Sequence, residues 1–546
     1  MVKLSASRII IILLIVIAAV GYFIIPKAEP VSVGLRAVQG IDANSLDIHR
    51  TKLDWAYQAI ALIHDTLMTF DYDMKYIPLL AESWEIDPEG RFIDFHLRRD
   101  VKFHCGEPFN ADAVVYTIRR AMEPWSAHAD SVKNVLDAEK LDDYTVRIHL
   151  VQWDRWLYDW FATTSSSIVC PVCAEEYGLD YGEKYFCGTG PFKVKEWIRE
   201  DRIILERNED YTWGPEIYQN RGPAHLAEIT FEVIPTDISR EDKFKAGETD
   251  MMIGLSPRPA LIDWLNATEN VVFLINARSS MAYVGFNVGT LSPEIQQGIV
   301  SDRPYPSDAK DSPVRDDPEG DGLLVRKALL YATHRENLVL YAWENMGKVA
   351  YGPLTSVIWG YNPALENMYP YDPEMAKSLL AQAGYPAGLK LTIYTTNYEP
   401  YVKTCQVLQD QWKKVGVELD IQVLVFDDIE TIIAHAQHDL WIGGWTWHNA
   451  DMIWWYWHTI RVPPAANRFW WGSAYADAVI ENTFNIDDDV AYSAIQESQM
   501  LIMEDAAYLP VVERPFLLAY WDRVKGLRMH PLSNFVWKFL DTYIEE

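Results

Sequence analysis

LKLTIYT, residues 389–395, alternates apolar and polar positions, and two further strand-like runs follow it: VELDIQVLVF (417–426) and DLWIGGW (439–445). The last is a near-continuous apolar run, as expected of a strand buried on both faces. Between the first two, Val402, Cys405, Leu408 and Trp412 recur at helical spacing, and a shorter helix precedes the third. Upstream, Asp372 is placed to cap a helix with Pro373 at its first position and Gly384 closing it. Strand, helix, strand, helix, strand implies parallel pairing through right-handed crossovers. The run GGWTWHNADMIWWYWH (443–458) therefore leaves the carboxyl end of a buried parallel strand. In open α/β sheets that edge is where ligands settle.

The rest of the 546-residue chain is too long for one core and predicts two or three domains. From 92 to 150, FIDFHL and TVRIHL read as strands, and NADAVVYTIRRAM between them as a helix capped by Asn110. RIILER and EITFEVI add two strands near 202–234, so this half reads as mixed α+β. Residues 301–322 are polar, acidic and proline-rich, the composition of a long surface loop.

With 78 acidic against 48 basic side chains, the net charge is -30. That balance excludes a nucleic-acid binder, which needs a basic face. Lys3 and Arg8 precede an uncharged apolar run from Ile9 to Ile25, the pattern of a secretory signal or membrane anchor. No small-x-small cleavage site is evident, which favours an uncleaved anchor with the remainder outside the membrane. Of five cysteines, Cys170, Cys173 and Cys187 read either as a disulfide staple or free thiols, or as zinc ligands with Cys105 as a fourth. Structural zinc sites usually show two close pairs and only one is present, so no metal ligand is assigned. His435 and His438, three apart, read as a solvated helix face rather than a metal site.

At this point the sequence resembles a known family: the extracellular solute-binding proteins of peptide-type ABC transporters (family 5, the oligopeptide, dipeptide and nickel group). The resemblance rests on SLDIHR (45–50), HDTLM (64–68), the long stretch from PLLAESW to RRAME (78–123), GTGPFKVKEW (188–197), KAGETDMM (245–252), VRKALLYATHRENLV (325–339), DLWIGGW and MEDAAYLPVV (503–512). Cys105 stands where the family commonly has Asp, and His334-Arg335 where it has Asp-Arg. The resemblance implies an α/β, periplasmic-binding-protein-like type II fold of three lobes with a hinged ligand cleft, behind the N-terminal signal or anchor (1–30). Lobe I would comprise 31–61, 188–277 and 507–546, lobe II 62–187, and lobe III 278–506. Ligand would lie between lobes I and III, with hinge crossings near 190–280 and 500–510.

In peptide-binding relatives the third residue after the motif tryptophan is an aspartate that holds the ligand's amino terminus. Counting from Trp445, that position is His448, and the nearest carboxylate is Asp451. The candidate ligand-binding residues are Trp445, Trp447, His448, Asp451 and, at the end of the first lobe I strand, Gln39. Indole faces suit sugar C–H faces, cations and aromatic side chains. The expected function is an extracytoplasmic receptor, tethered to the cytoplasmic membrane, that captures a peptide or oligosaccharide-like solute for an ABC permease. It is expected to be monomeric and to need no cofactor. The competing classes are an exported carbohydrate-active enzyme and a membrane-tethered sensor. No paired-acid, HExxH, GxSxG or Cys-His signature supports the enzyme.

Overall fold

A computed structural model describes residues 34–545, except 257, 277–278, 290–305, 307–308, 317–320, 448, 464 and 533–537. The signal or anchor segment lies outside the described residues, and no described helix is long and apolar enough to cross a membrane.

Three sheets organise the chain. A seven-stranded sheet runs Val271–Asn276, Phe516–Trp521, Met251–Ile253, Leu35–Gln39, Glu228–Val233, Arg202–Arg207, Phe192–Ile198. It is assembled from three separated stretches of sequence. Inserted between the first and second is an antiparallel four-stranded sheet, Ala81–Ile86, Phe92–Leu97, Thr145–Leu150, Val135–Asp142. The helix Ala111–Met122 packs on it, and the predicted Asn110 cap accepts from the amides of Asp112 (3.0 Å) and Ala113 (3.3 Å). Such a cap is worth about 1 kcal/mol.

The six-stranded sheet holds the opening stretch. Its order is Lys348–Val349, Tyr508–Glu513, Ser280–Phe286, Leu440–Thr446, Leu389–Thr395, Val417–Val423. Leu389–Thr395 pairs in parallel with both Val417–Val423 and Leu440–Thr446. Asp372 caps the helix Pro373–Gln382 through the amides of Glu374 and Met375. Gly384 takes a φ of +86° after it, a conformation that L side chains rarely adopt. On its other edge Leu440–Thr446 pairs antiparallel with Ser280–Phe286, so it is covered on both sides.

Three expectations are corrected. The strand Tyr508–Glu513 pairs with Ser280–Phe286, so the boundary at 506/507 falls one strand too early. The chain leaves the seven-stranded sheet after Asn276, is in the six-stranded sheet by Ser280, and returns at 514–515, where Arg514 N–H donates to Ser280 O, rather than near 500–510. Of the readings for the cysteines, the structure agrees with the free-thiol one, with no disulfide among the described residues. His438 is not on a solvated face: it is fully buried beyond the end of the helix Phe426–Ala434, with its carbonyl accepting from Asn287.

Candidate functional site

Strand residues two apart share a face, so a continuing strand would bury Trp447 with Trp445. Trp445 is 4% exposed, packed 4.2 Å from Tyr283 and 4.9 Å from Tyr456 (ring centroids). The strand instead ends at Thr446. Trp447 N–H donates to Ser279 O (2.8 Å), and the chain turns through Asn449 into the helix Met452–Trp457. The turn brings the carboxylate of Asp451 under the Trp447 indole, whose N–H donates to it. On the helix, Trp457 turns inward and stacks on Phe469 at 4.1 Å, while Trp454 and Trp455 face a cavity.

That cavity, about 240 Å³, separates this loop from residues 128–165 of the inserted segment. The opposite wall is the helix Arg155–Trp160, begun by Asp154. Its carboxylate accepts from the amides of Trp156 (3.0 Å) and Leu157 (3.3 Å) and from Asn134 Nδ2 (2.8 Å). Next to it, Asp159 accepts from the Tyr76 hydroxyl and from Asn449 Nδ2 (2.6 Å), which ties the two walls together. Arg155 adds a second tie, donating to Asn485 O (3.0 Å) and pairing with Asp488 (2.6 Å). The expected wall from lobe I is largely replaced: of that lobe's predicted residues, only Lys52 and Tyr57 among the described residues reach the cavity.

The electrostatics are sharply divided. Burial pushes the Asp451 carboxyl up to about 8, with Asp159 and Asp154 adding to the rise against the Trp447 hydrogen bond. Burial raises Asp159 to about 6 against its bonds from Tyr76 and Asn449. Asp154 is also raised, again by burial. Facing these acids are cations at the cavity mouth: Lys52 and Lys133 on its wall, and Arg461 beside it. Lys133 Nζ lies 3.5 Å over the Trp454 ring, and Arg461 stacks 3.9 Å from Trp455. None of the three forms an ion pair among the described residues. The indole N–H groups of Trp156 and Trp160 are buried on the same cavity without an acceptor.

Of the residues singled out from sequence, Trp447 and Asp451 meet on the cavity wall, joined by a hydrogen bond. Trp445 is a core residue and does not line the cavity. Gln39 is buried away from it, its Nε2 donating to Ile41 O. His448 lies outside the described residues. The whole opposite wall was missed, although QWDRWLYDWF (152–161) carries the same signal, three indoles among acids.

The inserted segment and the 446–484 stretch close over an indole-lined cavity with Asp154 and Asp451 on its walls, the geometry of a two-walled binding site. A family model described as "Bacterial extracellular solute-binding proteins, family 5 Middle" matches residues 75–479. The chain belongs to that family and acts as a solute-binding receptor of an ABC importer. It is 26% identical over 493 residues to the di/tripeptide-binding protein 1 of Pseudomonas aeruginosa, covering 84% of each chain. It is 26% identical over 491 residues to the heme-binding protein A of Haemophilus influenzae, covering 84% of this chain and 82% of that one. The periplasmic binding protein DppA from Helicobacter pylori, solved with the peptide STSA, superposes with a TM-score of 0.74 at 24% identity. That match covers 95% of this chain and 99% of the other.

Proposed function

We propose that the cavity between residues 128–165 and 446–484 captures a short peptide and that closure of three lobes about the crossings after Asn276 and at 514–515 encloses it. The observation that carries this is that one small cavity is lined by the carboxyl groups of Asp154 and Asp451 on its inner walls and by Lys52 and Lys133, with Asp130 beside them, neither lysine forming an ion pair among the described residues. A zwitterion matches it: an ammonium terminus against Asp451, and a carboxylate terminus toward Lys52, Lys133 and Arg461. The volume suits two or three residues, and the names of the peptide-binding relatives agree. We place the protein outside the cytoplasmic membrane, as a monomer tethered by residues 1–30, delivering its ligand to a permease.

Native mass spectrometry of the purified protein tests the ligand class. The expected result is a set of adducts with masses of short peptides, released on denaturation. A ladder of hexose masses, or a porphyrin, overturns the peptide reading. The Arg155 tie gives a second check. Arg155→Ala removes an inter-wall clasp without touching the cavity, so peptide dissociation should quicken by roughly tenfold with little change in association. Stopped-flow fluorescence of the cavity indoles reads both rates.

A further inference from the structure

Four thiols from three distant segments converge at one end of the inserted segment, and none of them lines the cavity. Cys105 sits on the turn Phe103–Gly106, closed by Gly106 N–H to Phe103 O (2.8 Å), with Gly106 at φ +95°. Cys170 immediately precedes the helix Pro171–Tyr177, and Cys173 lies in its first turn. Cys187 precedes Gly188 on the segment returning to the seven-stranded sheet. All four Sγ atoms lie within 4.8 Å of one another, with Cys105 and Cys170 at 3.7 Å.

Zinc–thiolate bonds of about 2.3 Å in tetrahedral array place neighbouring sulfurs about 3.8 Å apart. Disulfides would instead draw them into pairs at about 2.0 Å. The adjacent histidine is already committed: His104 has Nε2 2.9 Å from Gly190 O, and its Nδ1 accepts from Gly188 N–H (3.3 Å). Three of the thiols are buried and Cys105 is exposed, which gives an ion a route in.

We propose that Cys105, Cys170, Cys173 and Cys187 form a structural zinc site. Four protein ligands leave no open position, so its role is to hold structure rather than to catalyse. Binding converts thiols to a zinc tetrathiolate and releases their protons to solvent, with no change of oxidation state. The site fastens the Cys105 turn and the Cys170 helix to residues 187–190. Those residues pack so tightly under Ile63 that a Cβ on Gly188 would sit 2.1 Å from Ile63 O. The metal thus locks the seam where the inserted segment rejoins the seven-stranded sheet. It also protects thiols that an oxidising compartment would otherwise couple.

The test is elemental analysis and native mass of the full-length protein, purified without chelator or added metal. One zinc per chain is expected, falling to about a tenth or less in Cys105→Ser, and retained in Cys405→Ser, whose thiol is buried in the other lobe. Cobalt exchanged into the wild type should give the intense visible bands of a tetrahedral thiolate site. Chelation should lower Tm by about 10 °C. A metal-free chain roughly four daltons lighter, with two disulfides, overturns the proposal. So do bound iron in place of zinc, and four free thiols with a Tm indifferent to chelator. Were Cys105→Ser not to fold, the wild-type metal content and the chelator response still decide the matter.

Discussion

Asp451→Asn is expected to weaken peptide binding by about 100-fold or more while leaving the protein as stable as before, or more so. The two effects have one cause. The Asp451 carboxyl is buried among other acids, so its proton is held up to a pH of about 8. Between its ordinary value near 3.8 and about 8, the folded protein binds a proton that the unfolded chain does not. Stability from this group is therefore present at low pH and is lost as pH rises toward 8, then levels off. Asn, neutral at every pH, removes that slope and should raise Tm most at pH 8 and above. Binding runs the other way. An ammonium group needs the carboxylate charged, so below pH 8 capture must expel a proton. Wild-type affinity should fall by about tenfold per pH unit below that point, while the Asn variant shows no such dependence. Truncating one side of a buried charge pair costs about 2–5 kcal/mol, the source of the expected loss. Isothermal titration in buffers of different ionisation enthalpy measures both the affinity and the proton released. Unchanged affinity in Asp451→Asn, or capture with no proton release at pH 7, would place the ammonium elsewhere.

The parallel strands Leu389–Thr395, Val417–Val423 and Leu440–Thr446 were legible because everything that makes them is local. Alternation, a capping Asp372 and a closing Gly384 each act within a few residues. The seven-stranded sheet was legible only through resemblance, since its strands come from 35, 192–276 and 516–521 and no local pattern says which pair. The cavity shows the same limit. Trp447 and Asp451 are four residues apart and share one turn, so sequence could join them. Asn449 and Asp159 are 290 residues apart, and their contact is what makes two walls of one site. Tryptophan count misled in one place: Trp445 looks like Trp447 in sequence, and only the end of the strand at Thr446 separates core from cavity. The cysteines repeat the lesson: the four could be grouped from sequence as one of two readings, and only the folded turn and returning segment bring their Sγ atoms within 4.8 Å of one another.

Lys538→Met is expected to destabilise the protein by about 3–5 kcal/mol, because it leaves a buried carboxylate without its partner. Lys538 Nζ lies 2.7 Å from Asp65 Oδ1, with the two side chains 7% and 0% exposed. It also donates to Ala61 O (2.5 Å) and His64 O (2.6 Å), the last carbonyls at the end of the helix Asp54–Ile63. The other oxygen of Asp65 is held by Trp213 Nε1 (3.0 Å) and the Thr189 hydroxyl (3.1 Å). Every lone pair that matters is occupied, which is what lets a charge pair survive burial. Removing the ammonium strips the charge partner from Asp65 and the donor from two carbonyls at once. Asp65→Asn with Lys538→Met should be less destabilising than Lys538→Met alone, because the orphaned charge is gone. Chemical denaturation of the four members of this cycle measures the coupling. The Asp65–Lys538 pair pins the C-terminal segment beneath the helix that leads into the inserted sheet, and neither residue lines the cavity. Peptide affinity of the folded fraction should therefore be unchanged. A loss of affinity without a loss of stability would mean that this buried pair shapes the cavity rather than the body that carries it.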